Sequence, residues 1–251
     1  MKKVGIVTLY GNSNFGNKLQ QYAVQTIIEK YGFDVKNIIT KNSKSFEINN
    51  RFFIKIINSI KSIKHYLLYK SRYRNVNFYK FEKEYLKNDI KIYYSNEDNL
   101  DLDKKYDYFL IGSDQVWNPY FGLPKEFRFL NTIAKSKKIS ISASIGVSKI
   151  PSEEKEYYKK SLMNIKSISV REDEAKRIIE NISHRRDIEV LVDPTMLLTS
   201  KEWDRVLNRP KQIDKIINKK YILNYFLGEL SEPIKKEIEK IAKENNWEII
   251  F

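Results

Sequence analysis

Short apolar runs alternate with longer segments of helical period from the first residues of this chain, and that alternation limits the fold more than any other feature. Residues 4–9 are short, β-branched and apolar, the pattern of a strand buried on both faces. Residues 17–31 place Leu19, Tyr22, Ala23 and Ile27 on one helical face, and Gly32 ends the segment. A second strand is expected at 33–39, and helices at 52–69 and 76–86. Strand 106–111 enters Gly112-Ser113-Asp114. Strand 139–145, a helix from Pro151 to Met163, strand 167–170, helix 172–181 and strand 189–192 continue the pattern. Strand–helix–strand in this order predicts an α/β fold, a doubly wound parallel sheet with helices on both faces. This first domain spans 1–194 and carries a basic helical insertion at 51–91. Residues 195–251 restart the pattern with a helix at 201–207, a strand at 221–227, a helix at 231–245 capped by Ser231, and a strand at 248–251. One such unit cannot cover both faces of its own sheet. Either it docks on the first domain's sheet, or it is the incomplete beginning of a second domain, and the second reading is preferred.

Composition narrows the chemistry. None of the 251 residues is cysteine, which removes disulfides, thiolate metal sites and a cysteine nucleophile. The N-terminal apolar run is too short for a signal peptide, and no run is long enough to span a bilayer. A cytoplasmic location is expected. The net charge is +14, and residues 51–91 concentrate it, with eleven Lys or Arg against three acids. Such a field attracts anions. Its aromatic residues either pack the helices beneath a solvated Lys/Arg face or belong to a stretch that docks on an anionic membrane surface. Docking would place the protein at the inner face of the membrane. Nucleic acid is not among the expected partners. His65 and His184 read as surface residues.

Four motifs carry candidate chemistry. The first, Tyr10 to Ala23, joins the first strand to the first helix, where ligands of doubly wound sheets meet a helix N-terminus. Gly11 and Gly16 permit close backbone approach, and Asn14 and Asn17 supply short polar groups. Gln20, one turn later, is placed to point back at the same ligand. The spacing is not that of a dinucleotide fingerprint, and an ordinary turn with an Asn cap remains open. The second motif, Gly112-Ser113-Asp114-Gln115-Val116-Trp117-Asn118, lies on the same carboxyl edge. Asp114 suits a sugar hydroxyl or a base, and Trp117 offers a face for stacking. The alternative is a tight turn with a core Trp. In the third, Arg171 closes a strand, placed to fork onto a carboxylate or phosphate or to pair with Glu172 or Asp173. In the fourth, Asp193 caps a turn before Pro194.

Together these pieces resemble the polysaccharide pyruvyl transferase family. The matching segments are Gly5-Ile6-Val7-Thr8, Asn14-Phe15-Gly16-Asn17-Lys18-Leu19-Gln20-Gln21-Tyr22-Ala23, Gly112 to Asn118, Ser169-Val170-Arg171-Glu172-Asp173 and Val192-Asp193-Pro194-Thr195. The strand from Lys137-Lys138-Ile139-Ser140 to Gly146 is similar as well. The resemblance implies two Rossmann-like domains facing a cleft, as in GT-B glycosyltransferases. It implies transfer of pyruvate from phosphoenolpyruvate to a sugar, as a cyclic ketal on a surface polysaccharide or its lipid-linked precursor. No nicotinamide, flavin or metal is expected. Arg171 is expected to grip the donor anion, and Asp114 to contact the acceptor or act as base. Asn14, Gly16, Asn17, Gln20, Ser113, Trp117 and Asn118 are the expected substrate contacts. The family's second domain contributes a His and basic residues that this chain lacks. The expectation is thus an enzyme when full-length and no turnover by 1–251 alone. A non-catalytic sugar-binding relative and a GT-B glycosyltransferase are the alternatives.

Overall fold

The computed structural model describes residues 1–11, 14–40, 64–93, 96–208, 218–226 and 228–250. They form two compact units, Met1–Ser200 and Lys201–Phe251. In the first, β1 (Lys3–Val7) leads into α1 (Phe15–Lys30) and β2 (Asp34–Thr40), followed by α2 (Lys64–Tyr85), β3 (Asn88–Tyr93) and α3 (Asn96–Lys105). Then come β4 (Tyr108–Asp114), the short α4 (Lys125–Arg128), β5 (Lys138–Ala143), α5 (Lys155–Met163), β6 (Ile168–Val170), α6 (Asp173–Ser183) and β7 (Ile188–Val190). A 3-10 turn at Pro194–Leu197 follows. The strands lie in the order β3-β2-β1-β4-β5-β6-β7, and every neighbouring pair is parallel. This is the expected α/β, doubly wound, Rossmann-like sheet.

Burial on both faces explains the unbroken apolar runs. Val4 and Ile6 pack with Val24 of α1, Val35 and Leu110 on one face. Val7, Ile38, Phe109 and Ile111 meet Tyr158, Leu162, Ile178 and Ile179 on the other. Each buried Val or Ile contributes about 1.5–3 kcal/mol. Gly5 lets β2 pack closely here, since a Cβ would lie 2.4 Å from Ile38 Cδ1 and force that side chain to shift.

Several elements differ from expectation. Residues 64–85 form one helix where periodicity gives two, and 52–63 of the first lies outside the described residues. Phe78 and Phe81 of α2 pack on α1, with Phe15 and Phe78 stacked at 4.7 Å and Phe81 edge-on to Tyr22. The expected packing of aromatics against helices holds there, while Lys80 and Lys83 stay exposed. β3 and α3 were not anticipated, because Asn88, Asp89 and Lys91 break the apolar pattern. Asp89 is buried and accepts from Lys105 at 2.6 Å and from the hydroxyls of Tyr93 and Tyr106, both at 2.7 Å. Polar bonding therefore stabilises a strand that hydrophobicity does not announce.

The β5–β6 seam is unusual. Ladder pairing is sparse here, and serine hydroxyls bridge the gap. Ser140 Oγ donates to Ser169 O (2.9 Å) and accepts from Ser169 N (3.0 Å). Ser169 Oγ donates to Ser140 O (2.8 Å) and accepts from Ser142 N (3.1 Å). The alternation of serine through 139–145 thus has a structural use.

In the second unit, which opens in the short α7 (Ser200–Asp204), β8 (Tyr221–Leu223) and β9 (Glu248–Ile250) pair in parallel, and α8 (Glu232–Asn245) packs on both. Ser231 occupies the N-cap position without a side-chain bond, and Asn246 closes α8 in the left-handed region at φ 54°. Among the described residues no helix is long and apolar enough to cross a membrane.

Candidate active site

All strands of the main sheet run the same way, so their carboxyl ends share one edge. The chain order reverses at β1: β2 and β3 build to one side, β4 onward to the other. Ligands of doubly wound sheets bind at such a switch point. Here it brings together the end of β1, the N-terminus of α1 and the end of β4, with β6 and β7 beyond.

Much of the expected contact set turns out to be framework. Gln20 is buried. Its Nε2 donates to Thr8 Oγ1 (3.0 Å), and its Oε1 accepts from Ser113 Oγ (2.7 Å). Thr8 Oγ1 donates in turn to Ser113 O (2.7 Å). This closed ring ties α1, β1 and β4, so Gln20 and Ser113 spend their polar groups on one another. Trp117 offers no stacking face. It is fully buried, stacks on Phe129 at 5.5 Å and donates Nε1 to Arg128 O. Asn118 is buried too, donating to Gln115 Oε1 and accepting from Tyr120 N. Gly146 makes room for that pair, since a Cβ there would lie 2.2 Å from Gln115 Oε1. In this structure all four side chains are buried and bonded to neighbouring elements, and so shape the edge. Polar residues beside glycines look alike in sequence whether they meet a ligand or a neighbouring strand.

Asn14 caps α1, its side chain accepting from Asn17 N at 3.2 Å, and Gly16 is exposed beside it. Asn12 and Ser13 lie outside the described residues. Asn17 is buried, and its Nδ2 donates to Asp114 Oδ2 at 3.3 Å. Lys18, next along, is also buried, with Nζ 4.3 Å from the Tyr10 ring centre and 3.5 Å from Glu82 Oε2. Burial pulls its pKa below the usual lysine value against the opposing pull of Glu82.

Asp114 ends β4 at φ 76°, a backbone conformation that L-residues rarely adopt and that recurs at functional sites. Its carbonyl accepts from both Val116 N and Ser144 N, each at 2.8 Å, and its Oδ1 accepts from Gln115 N at 2.8 Å. Gly112 precedes it at φ 120°, where a Cβ would lie 2.3 Å from Ile141 O. The turn is thus specified by sequence and held by several bonds.

Arg171 follows β6. Its Nε donates to Glu172 Oε1 (2.9 Å) and its Nη1 to Asp193 Oδ2 (2.8 Å), while Nη2 lies 3.9 Å from Asp114 Oδ1. Burial alone would lower its pKa, but Glu172 and Asp193 raise it above the usual value. Asp193 accepts from the N–H and hydroxyl of Thr195 at 2.9 and 2.8 Å, capping the 3-10 turn as expected. Burial pushes its carboxyl up, but Thr195 and Arg171 more than offset this and hold it below the usual range. The sequence places Asp193 at a turn; the structure adds that it shares a guanidinium with Glu172 and Asp114. Three carboxylates around one guanidinium leave two formal negative charges in excess. Such a surface favours groups that donate hydrogen bonds over a free anion. Asp114, Arg171 and Asp193 each keep about a fifth to a quarter of the side chain exposed, enough for contact. Among the described residues no group of three His, Asp or Glu is placed to hold a metal ion. His184 is exposed and closes α6 at φ 58°.

The sequence model of the polysaccharide pyruvyl transferases matches residues 14–250. The chain belongs to the polysaccharide pyruvyl transferase family. No curated protein and no solved structure matches it significantly. The match begins at the Asn14 cap of α1 and runs through both units, a range that spans Asn17, Asp114, Arg171 and Asp193.

Proposed function

We propose that this pyruvyl transferase moves pyruvate from phosphoenolpyruvate to a sugar of a cell-surface polysaccharide, or of its lipid-linked precursor, as a ketal. The observation that carries the reading is Asp114, held in a left-handed turn at the switch point and bonded to Asn17 of α1. A fixed, partly exposed carboxylate at that position suits a sugar hydroxyl, both as hydrogen-bond acceptor and as base. Family membership supports the polysaccharide acceptor.

The chemistry can be written in two steps. One sugar hydroxyl adds to C2 of the enolpyruvyl group as its proton passes to Asp114, while the C3 methylene takes a proton from solvent to become methyl and Asp114 returns its own to solvent. A second hydroxyl then displaces phosphate from C2, closing the ketal, and its proton leaves with the phosphate. The acidic surroundings suit the acceptor better than the donor. Arg171 orders Asp193 and Glu172, and its Nη2 is the part left to face the donor. We expect a second Rossmann-like domain beginning near residue 195 to form the other wall of a GT-B-like cleft and to supply the remaining cations. Residues 51–91 would bring the protein to an anionic membrane surface where lipid-linked acceptors are held.

The test is release of phosphate from phosphoenolpyruvate, dependent on a sugar acceptor, by the full-length protein. Arg171→Ala should lower kcat/KM at least about a hundredfold, and Arg171→Lys should not restore it, because one ammonium cannot reproduce a fork to two acids. Unchanged phosphate release in Arg171→Ala would remove Arg171 from the site. Turnover of a nucleotide sugar instead would make the protein a glycosyltransferase.

A further inference from the structure

A buried charge pair joins the basic insertion to the candidate site. Lys18 stands in the first turn of α1, directly after Asn17, and its side chain is 2% exposed. Glu82 of α2, at 7%, faces it at 3.5 Å. The same carboxylate accepts from the Tyr10 hydroxyl and, through Oε1, from Asn88 Nδ2 at 2.7 Å. One side chain of α2 therefore grips a residue of the β1–α1 connection and a residue of the first turn of α1. Stability does not account for this arrangement. Two charges taken out of water regain little beyond their own desolvation, and an apolar pair of similar volume serves a core as well. Among the described residues Lys18 Nζ has no hydrogen bond to add to the balance. What a buried polar pair does supply is register. Aromatic residues recur along α2 at Tyr69, Tyr73, Phe78, Phe81 and Tyr85, so ring packing on Phe15 and Tyr22 does not by itself single out one position of the helix. Gln25 pins the carboxyl end of α2, donating to Tyr85 O and accepting from Lys87 N. Glu82 does the same at the first turn of α1.

We infer that Glu82 is a positioning residue: by holding Lys18 and Tyr10 it sets the first turn of α1, and with it the Asn17 amide that bonds Asp114, so that the basic insertion fixes one wall of the candidate site. The consequence for turnover rests on the transferase reading above; the contact itself does not. Removing one charge leaves the other buried without its counterpart, and the first turn of α1 must shift to relieve it. Removing both leaves an uncharged pair of similar length that can stay buried in place.

The test follows the Asn17 side-chain amide by NMR in the full-length protein, its signal assigned through its own backbone. Glu82→Gln and Lys18→Met should each move that signal and speed exchange of the Asn17 backbone amide at least about tenfold. Lys18→Met combined with Glu82→Gln should return both to wild-type values. If a single variant does not fold by circular dichroism, Glu82→Asp, which keeps the charge but falls short of Lys18, should still move the signal. In phosphate release with phosphoenolpyruvate and whichever methyl glycoside of glucose, galactose or mannose turns over, the single variants should raise KM for the sugar at least about tenfold. KM for phosphoenolpyruvate should stay unchanged, and the double variant should restore the sugar KM. A lower melting temperature with the Asn17 signal and exchange unmoved, no change of any kind, or a double variant no better than the singles would each overturn the inference. No phosphate release from wild type or variants, with the Asn17 signal moving as stated, would remove the transfer chemistry and keep Glu82 as the positioning residue.

Discussion

Asp114 does two jobs that are separable by substitution. Its backbone holds a turn that several hydrogen bonds enforce, and its carboxylate faces the edge. Asn is tolerated in left-handed turns and has the same shape, so Asp114→Asn should fold with unchanged thermal stability. It should nonetheless lower kcat by about two to three orders of magnitude, the usual worth of a general base, as measured by phosphate release. Asp89 is the contrasting case, a buried carboxylate with a structural task. Burial pushes its pKa up, but Lys105, Tyr106 and Tyr93 overcome this and bring it down to about 2. Since the folded value lies below the unfolded one, Asp89 adds stability that is complete above the ordinary carboxylate value of 3.8 and fades as pH falls toward 2. Asp89→Asn should cost about 2–3 kcal/mol at neutral pH and flatten the acid limb of the urea-unfolding profile between those values. Legibility follows the same division. Asn17, Asp114 and Arg171 could be chosen from sequence because each stands where a strand meets a helix. Gln20, Ser113, Trp117 and Asn118 could not be told from ligand contacts, because nothing in a linear motif says which neighbour a polar group will find.

The strands and helices that were readable are those buried on both faces, β1, β4 and α1 among them, whose apolar runs follow from packing. α1 starts two residues earlier than its apolar period indicates, because the Asn14 cap sets its beginning. β3 escaped notice since its register depends on Asp89 and Tyr93 rather than on alternation. The seam between β5 and β6 falls between these cases. Serine at alternate positions was visible, but its use as a substitute ladder was not. Ser169→Ala removes the hydroxyl that donates to Ser140 O and accepts from Ser142 N. It should cost about 1–3 kcal/mol, and amide exchange at Ser142 should accelerate relative to β4. Exchange unchanged at Ser142 would mean that the hydroxyls add nothing to the ladder.

Charge is divided across the protein. The sum is +14, yet the carboxyl edge around Arg171 is acidic. The excess of Lys and Arg in 51–91 can attract the molecule to anionic surfaces, while the group around Arg171 stays acidic. Binding to vesicles containing phosphatidylserine should therefore weaken steeply as salt rises from 50 to 500 mM, roughly the range over which the Debye length falls several-fold. Salt-independent binding would assign the basic stretch some other purpose. The serine seam also divides the sheet. Asp114 belongs to the plate that runs from β3 to β5, and Arg171 and Asp193 to the plate of β6 and β7. If the hydroxyl bridges yield more easily than the ladders on either side, this seam, which few peptide bonds cross, is the line along which the plates would shift. The 3.9 Å between Arg171 Nη2 and Asp114 Oδ1 then acts as a gauge of the shift. A ligand that closes that distance would be recorded, before any chemistry, as slower exchange along β5 and β6.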